Sequence, residues 1–96
     1  MPICVILRAM NSVVTEDFLA CFAALPAEVR EHARRAYQLW RANPSHPSLR
    51  FKPIQGHDSL YSVRVGRGWR ALGHLDAGTI TWFWIGSHAE YDGLIG

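Results

Sequence analysis

Leu60 to Tyr91, LYSVRVGRGWRALGHLDAGTITWFWIGSHAEY, is the stretch that most restricts the fold. Tyr61, Val63 and Val65 alternate with Ser62 and Arg64, the period of a half-buried strand. Gly66-Arg67-Gly68 then offers a turn with two residues able to take positive φ. Trp69 to Leu75 runs back, Asp76-Ala77-Gly78 turns again, and Thr79 to Ile85 forms a third strand. That strand is apolar on both faces and rich in aromatic and β-branched residues, which predicts a covered, central position.

Register carries chemistry with it. A three-residue loop at Gly66 to Gly68 places Val65 opposite Trp69 and Arg64 opposite Arg70. A two-residue loop at Ala77-Gly78 places Gly73 opposite Trp82 and Ala71 opposite Trp84. The core face is then Tyr61, Val63, Val65, Trp69, Ala71, Leu75, Ile80, Trp82 and Trp84. Arg64, Arg70, Leu72, His74, Thr81, Phe83 and Ile85 fall on the other face. Two arginines directly opposite repel. Either an anion sits between them, which suits guanidinium forks, or each pairs with a carboxylate or lies over Phe83.

Upstream, Thr15 is a suitable N-cap, followed by acidic Glu16 and Asp17. Phe18, Leu19, Phe22 and Leu25 recur at helical spacing, and Pro26 ends that helix and opens the next. Ala27 to about Ala42 reads as a helix with Val29, Ala33, Ala36, Tyr37 and Trp40 buried, and with Arg30, Arg34, Arg35 and Arg41 outward. Asn43-Pro44 stops it. A short edge strand follows, with Leu49, Phe51 and Ile54 inward and Arg50 and Lys52 outward. Residues 1–14 are read as a strand, at Pro2 to Arg8, or as an extension. Ninety-six residues with 49% hydrophobic content make one α+β domain, a helical hairpin on a small antiparallel meander, and exclude a disordered chain.

Nine of the ten cationic side chains are arginine, and the net charge is +2. Cys4 and Cys21 form no metal spacing, and the histidines show no HxxxH or HExxH pattern, so no metal or cofactor is expected. No apolar run reaches the length of a membrane span, and a reducing cytoplasmic setting is the expectation. Arg50, Lys52, Arg64, Arg70 and His88 converge on one zone if the meander holds. Such a zone has the parts for metal-free RNA cleavage by the neighbouring 2′-hydroxyl. His46 and His57 sit in loops where organising a turn is as plausible as binding substrate. His32, on the exposed helix side, reads as inert.

LPAEVREHARRAYQLW, NPSHPSLRFKPI, YSVRVGRGWRALG and TITWFWIGSHAEYDGLI together resemble the RelE/ParE superfamily of type II toxins, over Thr15 to Ile95. The closing GSHAEY is most similar to the YafQ-type endoribonuclease branch. The resemblance implies a RelE-like, microbial-RNase-type fold and cleavage of mRNA, usually on the ribosome. It also implies neutralisation by a cognate antitoxin, with DNA reached only through the antitoxin complex. It assigns catalysis to His88, Arg64, Arg70 and Tyr91, and RNA or phosphate contact to Arg50, Lys52, Arg67, His46 and His57. Two rivals share the fold: a ParE-like toxin that inhibits DNA gyrase without nuclease activity, and an inactive antitoxin-binding homologue.

Overall fold

A computed structural model describes residues 11–95. Among them the chain forms β1 (Asn11–Val14), α1 (Glu16–Ala23) and α2 (Ala27–Ala42). A 3-10 turn at Pro47–Leu49 leads to β2 (Lys52–Pro53), β3 (Leu60–Val65), β4 (Trp69–Asp76), β5 (Thr79–Ser87) and α3 (His88–Ile95). The five strands lie in the order β1-β5-β4-β3-β2. The meander β3-β4-β5 is antiparallel as expected, and it puts Arg64 opposite Arg70 and Val65 opposite Trp69. β1 adds to it in parallel, pairing Val13 with Thr81 and Val14 with Trp82. The sheet is therefore mixed, and β5 lies inside it, as its apolar composition demands. The strand expected at Pro2 to Arg8 lies outside the described residues. The strand seen before α1 is Asn11–Val14.

Thr15 caps α1 as its position implies, its hydroxyl accepting from the Phe18 amide at 3.1 Å. α2 runs between Pro26 and Asn43, the boundaries its prolines and asparagine set. Its Val29 and Trp40 are buried, with Ala33, Ala36 and Leu39 packed at the margin. Trp40 is the hinge of the core: its ring meets Trp82 edge-on at 5.4 Å and Phe51 edge-on at 5.7 Å. Two residues of the expected helical stripes turn outward. Leu19 is 53% exposed, and Tyr37 instead hydrogen-bonds Ser12 on β1 at 2.5 Å. That bond, then Arg41, holds the Tyr37 phenol below its ordinary range.

One irregularity corrects the predicted faces of β5. Gly73 pairs with Trp82 as expected, but Leu72 pairs with Trp84 and Ala71 with Ile85. Phe83 is the extra residue of a β-bulge, and every side chain beyond it changes sides. Ile85 thus joins Ile80 and Trp82 in the core under the helices. Trp84 and Phe83 pack with Ile54, Leu72 and Tyr91 on the opposite face, which α3 covers. Ile54, expected beside Leu49 and Phe51, belongs to that second cluster as well. The short β2 ends at Pro53, so the chain has already left the sheet when Ile54 turns in.

Two glycines make these close approaches possible. A Cβ on Gly73 would lie 2.8 Å from both Ile80 and Trp82. A Cβ on Gly86 would lie 2.5 Å from the Trp84 indole. The bulged strand can pass its tryptophans over the backbone only because both positions lack a side chain.

Candidate active site

The site is built where β5 becomes α3. Ser87 and Glu90 form a reciprocal cap: the Glu90 amide donates to Ser87 Oγ at 3.1 Å, and Glu90 Oε1 accepts from the Ser87 amide at 3.0 Å and its hydroxyl at 3.1 Å. The Ser87 amide, followed by its hydroxyl, holds the Glu90 carboxylate below its ordinary 4.5. The His88 amide donates to the Gly68 carbonyl at 2.8 Å, pinning the start of α3 to the β3–β4 turn. The Ser-x-x-Glu spacing at Ser87 and Glu90, a capping signature, marks the helix that forms here.

With α3 so fixed, Arg50, Arg64, Arg70 and His88 line one groove with Gly68 and Trp69, of about 220 Å³. Each comes from a different element. Arg50 follows the 3-10 turn in a left-handed conformation, φ 48°. Arg64 and Arg70 are the directly opposed pair on β3 and β4, and His88 opens α3. Among the described residues no carboxylate lines this groove. The Arg64 Nε donates to the Gly66 carbonyl at 3.3 Å. Arg70 lies with its guanidinium carbon 5.2 Å from the Tyr91 ring centre. Its Nε donates to His88 Nδ1 at 3.4 Å, and His88 Nε2 is 3.4 Å from Asp92 Oδ2. Opposed arginines in one groove, with no carboxylate among its described lining residues, are arranged to receive anionic oxygens.

Tyr91 is the most buried of the expected site residues, 9% exposed, and sits beneath Arg70 with its ring 6.0 Å from that of His88. The other expected residues stand apart from the groove. Lys52 is exposed on β2 opposite Ser62. Arg67 is exposed at the tip of the β3–β4 turn, and His57 is exposed in the loop before β3. His46 organises its turn, its Nδ1 accepting from the Ser48 amide at 3.2 Å.

Three features escaped the sequence reading. Asp92 stands one helical turn from His88, a histidine–carboxylate spacing visible in the sequence once α3 is known. His32 and Arg35, on the outer side of α2, line a second groove of about 380 Å³ with Ser48, Leu49 and Gly66. Arg64 lines both grooves, so the cationic surface is continuous from His88 to α2. On the opposite face of the sheet, Val14, Phe22, Tyr37 and Trp82 line an apolar cavity of about 360 Å³ between the helices and β1. Among the described residues no cluster of three or more His, Cys, Asp or Glu could hold a metal, and no helix is long and apolar enough to cross a membrane.

Residues 27–93 match the ParE-like toxin domain family, and they contain α2, the meander and all six residues that line the groove. The chain belongs to that family and is a toxin domain of the RelE/ParE superfamily. The fold is shared with RelE of the Methanococcus jannaschii RelB–RelE antitoxin–toxin complex, at a TM-score of 0.70 and 16% identity over 88% of this chain and 99% of that one. It is similar to Escherichia coli RelE, an arginine-substituted mutant in the free state, at 0.67 and 15% identity over 91% and 93%. It is also similar to Escherichia coli YafQ, at 0.66 and 16% identity over 90% and 98%. No curated protein sequence matches the chain.

Proposed function

We propose that this toxin is a metal-independent endoribonuclease that cuts mRNA, on the ribosome, in the bacterial cytoplasm. The observation that carries the reading is the groove in which Arg50, Arg64 and Arg70 surround His88 with no carboxylate among the lining residues. In the reaction, the 2′-oxygen of one nucleotide attacks the adjacent phosphorus as its proton is removed. The P–O5′ bond breaks, leaving a 2′,3′-cyclic phosphate and a 5′-hydroxyl. The phosphorane-like transition state carries extra negative charge on the non-bridging oxygens, where Arg64 and Arg70 are worth more than in the ground state. Among the described residues His88 supplies the groove's imidazole, a group able to take or give the proton in such a reaction. The continuous Arg64 surface gives the flanking phosphates of the strand a cationic path toward Arg35 and His32.

The proposed protein partner is a cognate antitoxin, by likeness to the RelB–RelE complex. Val13, Val14 and Tyr37, exposed at the apolar cavity, provide a surface that a partner chain would cover. The ParE-like family match also accommodates a toxin that acts on gyrase without cutting nucleic acid.

Adding the purified protein to translating ribosomes separates these readings. Internal cuts ending in 2′,3′-cyclic phosphate, lost with Arg64→Ala, are expected. Intact message together with inhibited gyrase supercoiling would replace the ribonuclease reading with the gyrase one.

A further inference from the structure

The proposed reaction needs a base, and a histidine has two ring nitrogens; the contacts of His88 distinguish them. Arginine Nε always carries hydrogen and can only donate. Its contact with His88 Nδ1, at 3.4 Å, therefore requires Nδ1 to be the bare, accepting nitrogen. In the neutral ring the proton then sits on Nε2, which faces the Asp92 carboxylate at 3.4 Å. Both contacts come from fixed elements. Arg70 is held on the Tyr91 ring, and Asp92 lies one turn along a helix whose start is capped and pinned.

We propose that Asp92 is the positioning residue of this site. Together with Arg70 it holds His88 as the Nε2–H tautomer, so that Nδ1 is the nitrogen that takes the 2′-hydroxyl proton. This rests on the ribonuclease reading. In the free protein the Arg70 Nε–H occupies Nδ1 through a bond longer than the usual 2.9–3.0 Å. A phosphate oxygen entering the groove competes for that donor and frees the nitrogen. The 2′-hydroxyl proton passes to Nδ1 as the 2′-oxygen forms its bond to phosphorus. The electron pair of the breaking P–O5′ bond stays on the 5′-oxygen, which collects a proton from water. His88 is now an imidazolium, and Asp92 stabilises its Nε2–H side until Nδ1 returns its proton to solvent. Arg70 and Asp92 contact this ring and Arg50 and Arg64 share its groove, while the neighbouring Glu90 carboxylate is engaged by Ser87.

Long-range proton–nitrogen correlation spectra of ring-labelled histidine test this without needing catalysis. In alkaline buffer, the resonances absent from His88→Ala should show protonated Nε2 and bare Nδ1 in the wild type. Asp92→Ala should shift them toward a tautomer mixture. Inorganic phosphate should move the Nδ1 signal as Arg70 is drawn away. In RNA cleavage, Asp92→Ala should lower kcat about tenfold at unchanged KM, and Asp92→Glu should recover part of it. A wild-type His88 protonated on Nδ1 would overturn the proposal, as would an Asp92→Ala protein with unchanged spectra or unchanged kcat. A wild type that holds the Nε2–H tautomer but cuts no RNA in any setting would overturn the ribonuclease reading instead.

Discussion

Tyr91 separates two ways in which an aromatic residue can serve a phosphoryl-transfer site. Its hydroxyl can take part in the chemistry, or its ring can hold a cation in place. The ring lies under Arg70 and is 9% exposed, in the cluster with Ile54 and Leu72. Cation–π contact of this kind is worth about 0.5–1 kcal/mol at partly exposed sites. Tyr91→Phe keeps the ring and should retain most of the cleavage rate, whereas Tyr91→Ala should lower it at least tenfold. Initial rates on one RNA compare them, and equal losses would return the role to the hydroxyl. Arg70→Ala and Arg64→Ala should abolish cleavage while thermal melting stays within a few degrees, because neither belongs to the hydrophobic core. At this scale the sequence was informative about the meander and poor about loops. Arg64 and Arg70 follow from turn length alone. Lys52, on the edge strand β2, stands outside the groove, and so do Arg67 and His57, because a side chain's place in a turn or loop depends on geometry that composition does not specify.

Among the elements, α3 depends most on a local arrangement. It is eight residues long, too short to persist alone, and its start is fixed by the Ser87–Glu90 cap. Ser87→Ala removes the cap hydroxyl and should cost about 1 kcal/mol in urea unfolding. It should also loosen His88 and so lower cleavage activity. The cap is sensitive to acid. Glu90 has a lowered folded-state value because the Ser87 amide and hydroxyl favour its charged form. Its contribution is therefore present above the ordinary carboxylate value and is lost as pH falls through the lowered one. Urea midpoints of wild type and Glu90→Gln should differ at neutral pH and converge once the pH has fallen below the ordinary carboxylate range. A difference that grows in acid would contradict the assignment.

β5 is where sequence periodicity failed, for a reason residues 79–85 do not display. Strict alternation puts Trp84 inward and Ile85 outward, and a single bulged residue, Phe83, reverses both. A strand apolar on both faces gives alternation nothing to read. Gly73 and Gly86, where the tryptophans cross the backbone, were the available clues.

For the molecule as a whole, the sheet divides two kinds of surface. Helices α1 and α2 cover one face over a core centred on Trp40, Trp82 and Ile80, and α3 covers the other beside the cationic groove. The groove's geometry is inherited from the core through β3 and β4, each of which carries a core residue beside its arginine. Trp82→Ala opens a cavity beneath Trp40 and should cost about 3–5 kcal/mol, a large part of the 5–15 kcal/mol that holds a domain of this size together. A thermal melt should show the loss; a shift of only a degree or two would mean that the core is centred elsewhere. The overall architecture was legible because helix caps, tight turns and amphipathic spacing are local signals. The parallel placement of β1 was not, since pairing across the whole chain leaves no local mark on four residues. The central claim is that the Arg64–Arg70–His88 groove cuts messages. The most direct test maps RNA 5′ ends in cells after brief induction of wild type and of His88→Ala. The account predicts new ends inside translated messages with the wild type and none with the variant. Growth arrest without new RNA ends would contradict it.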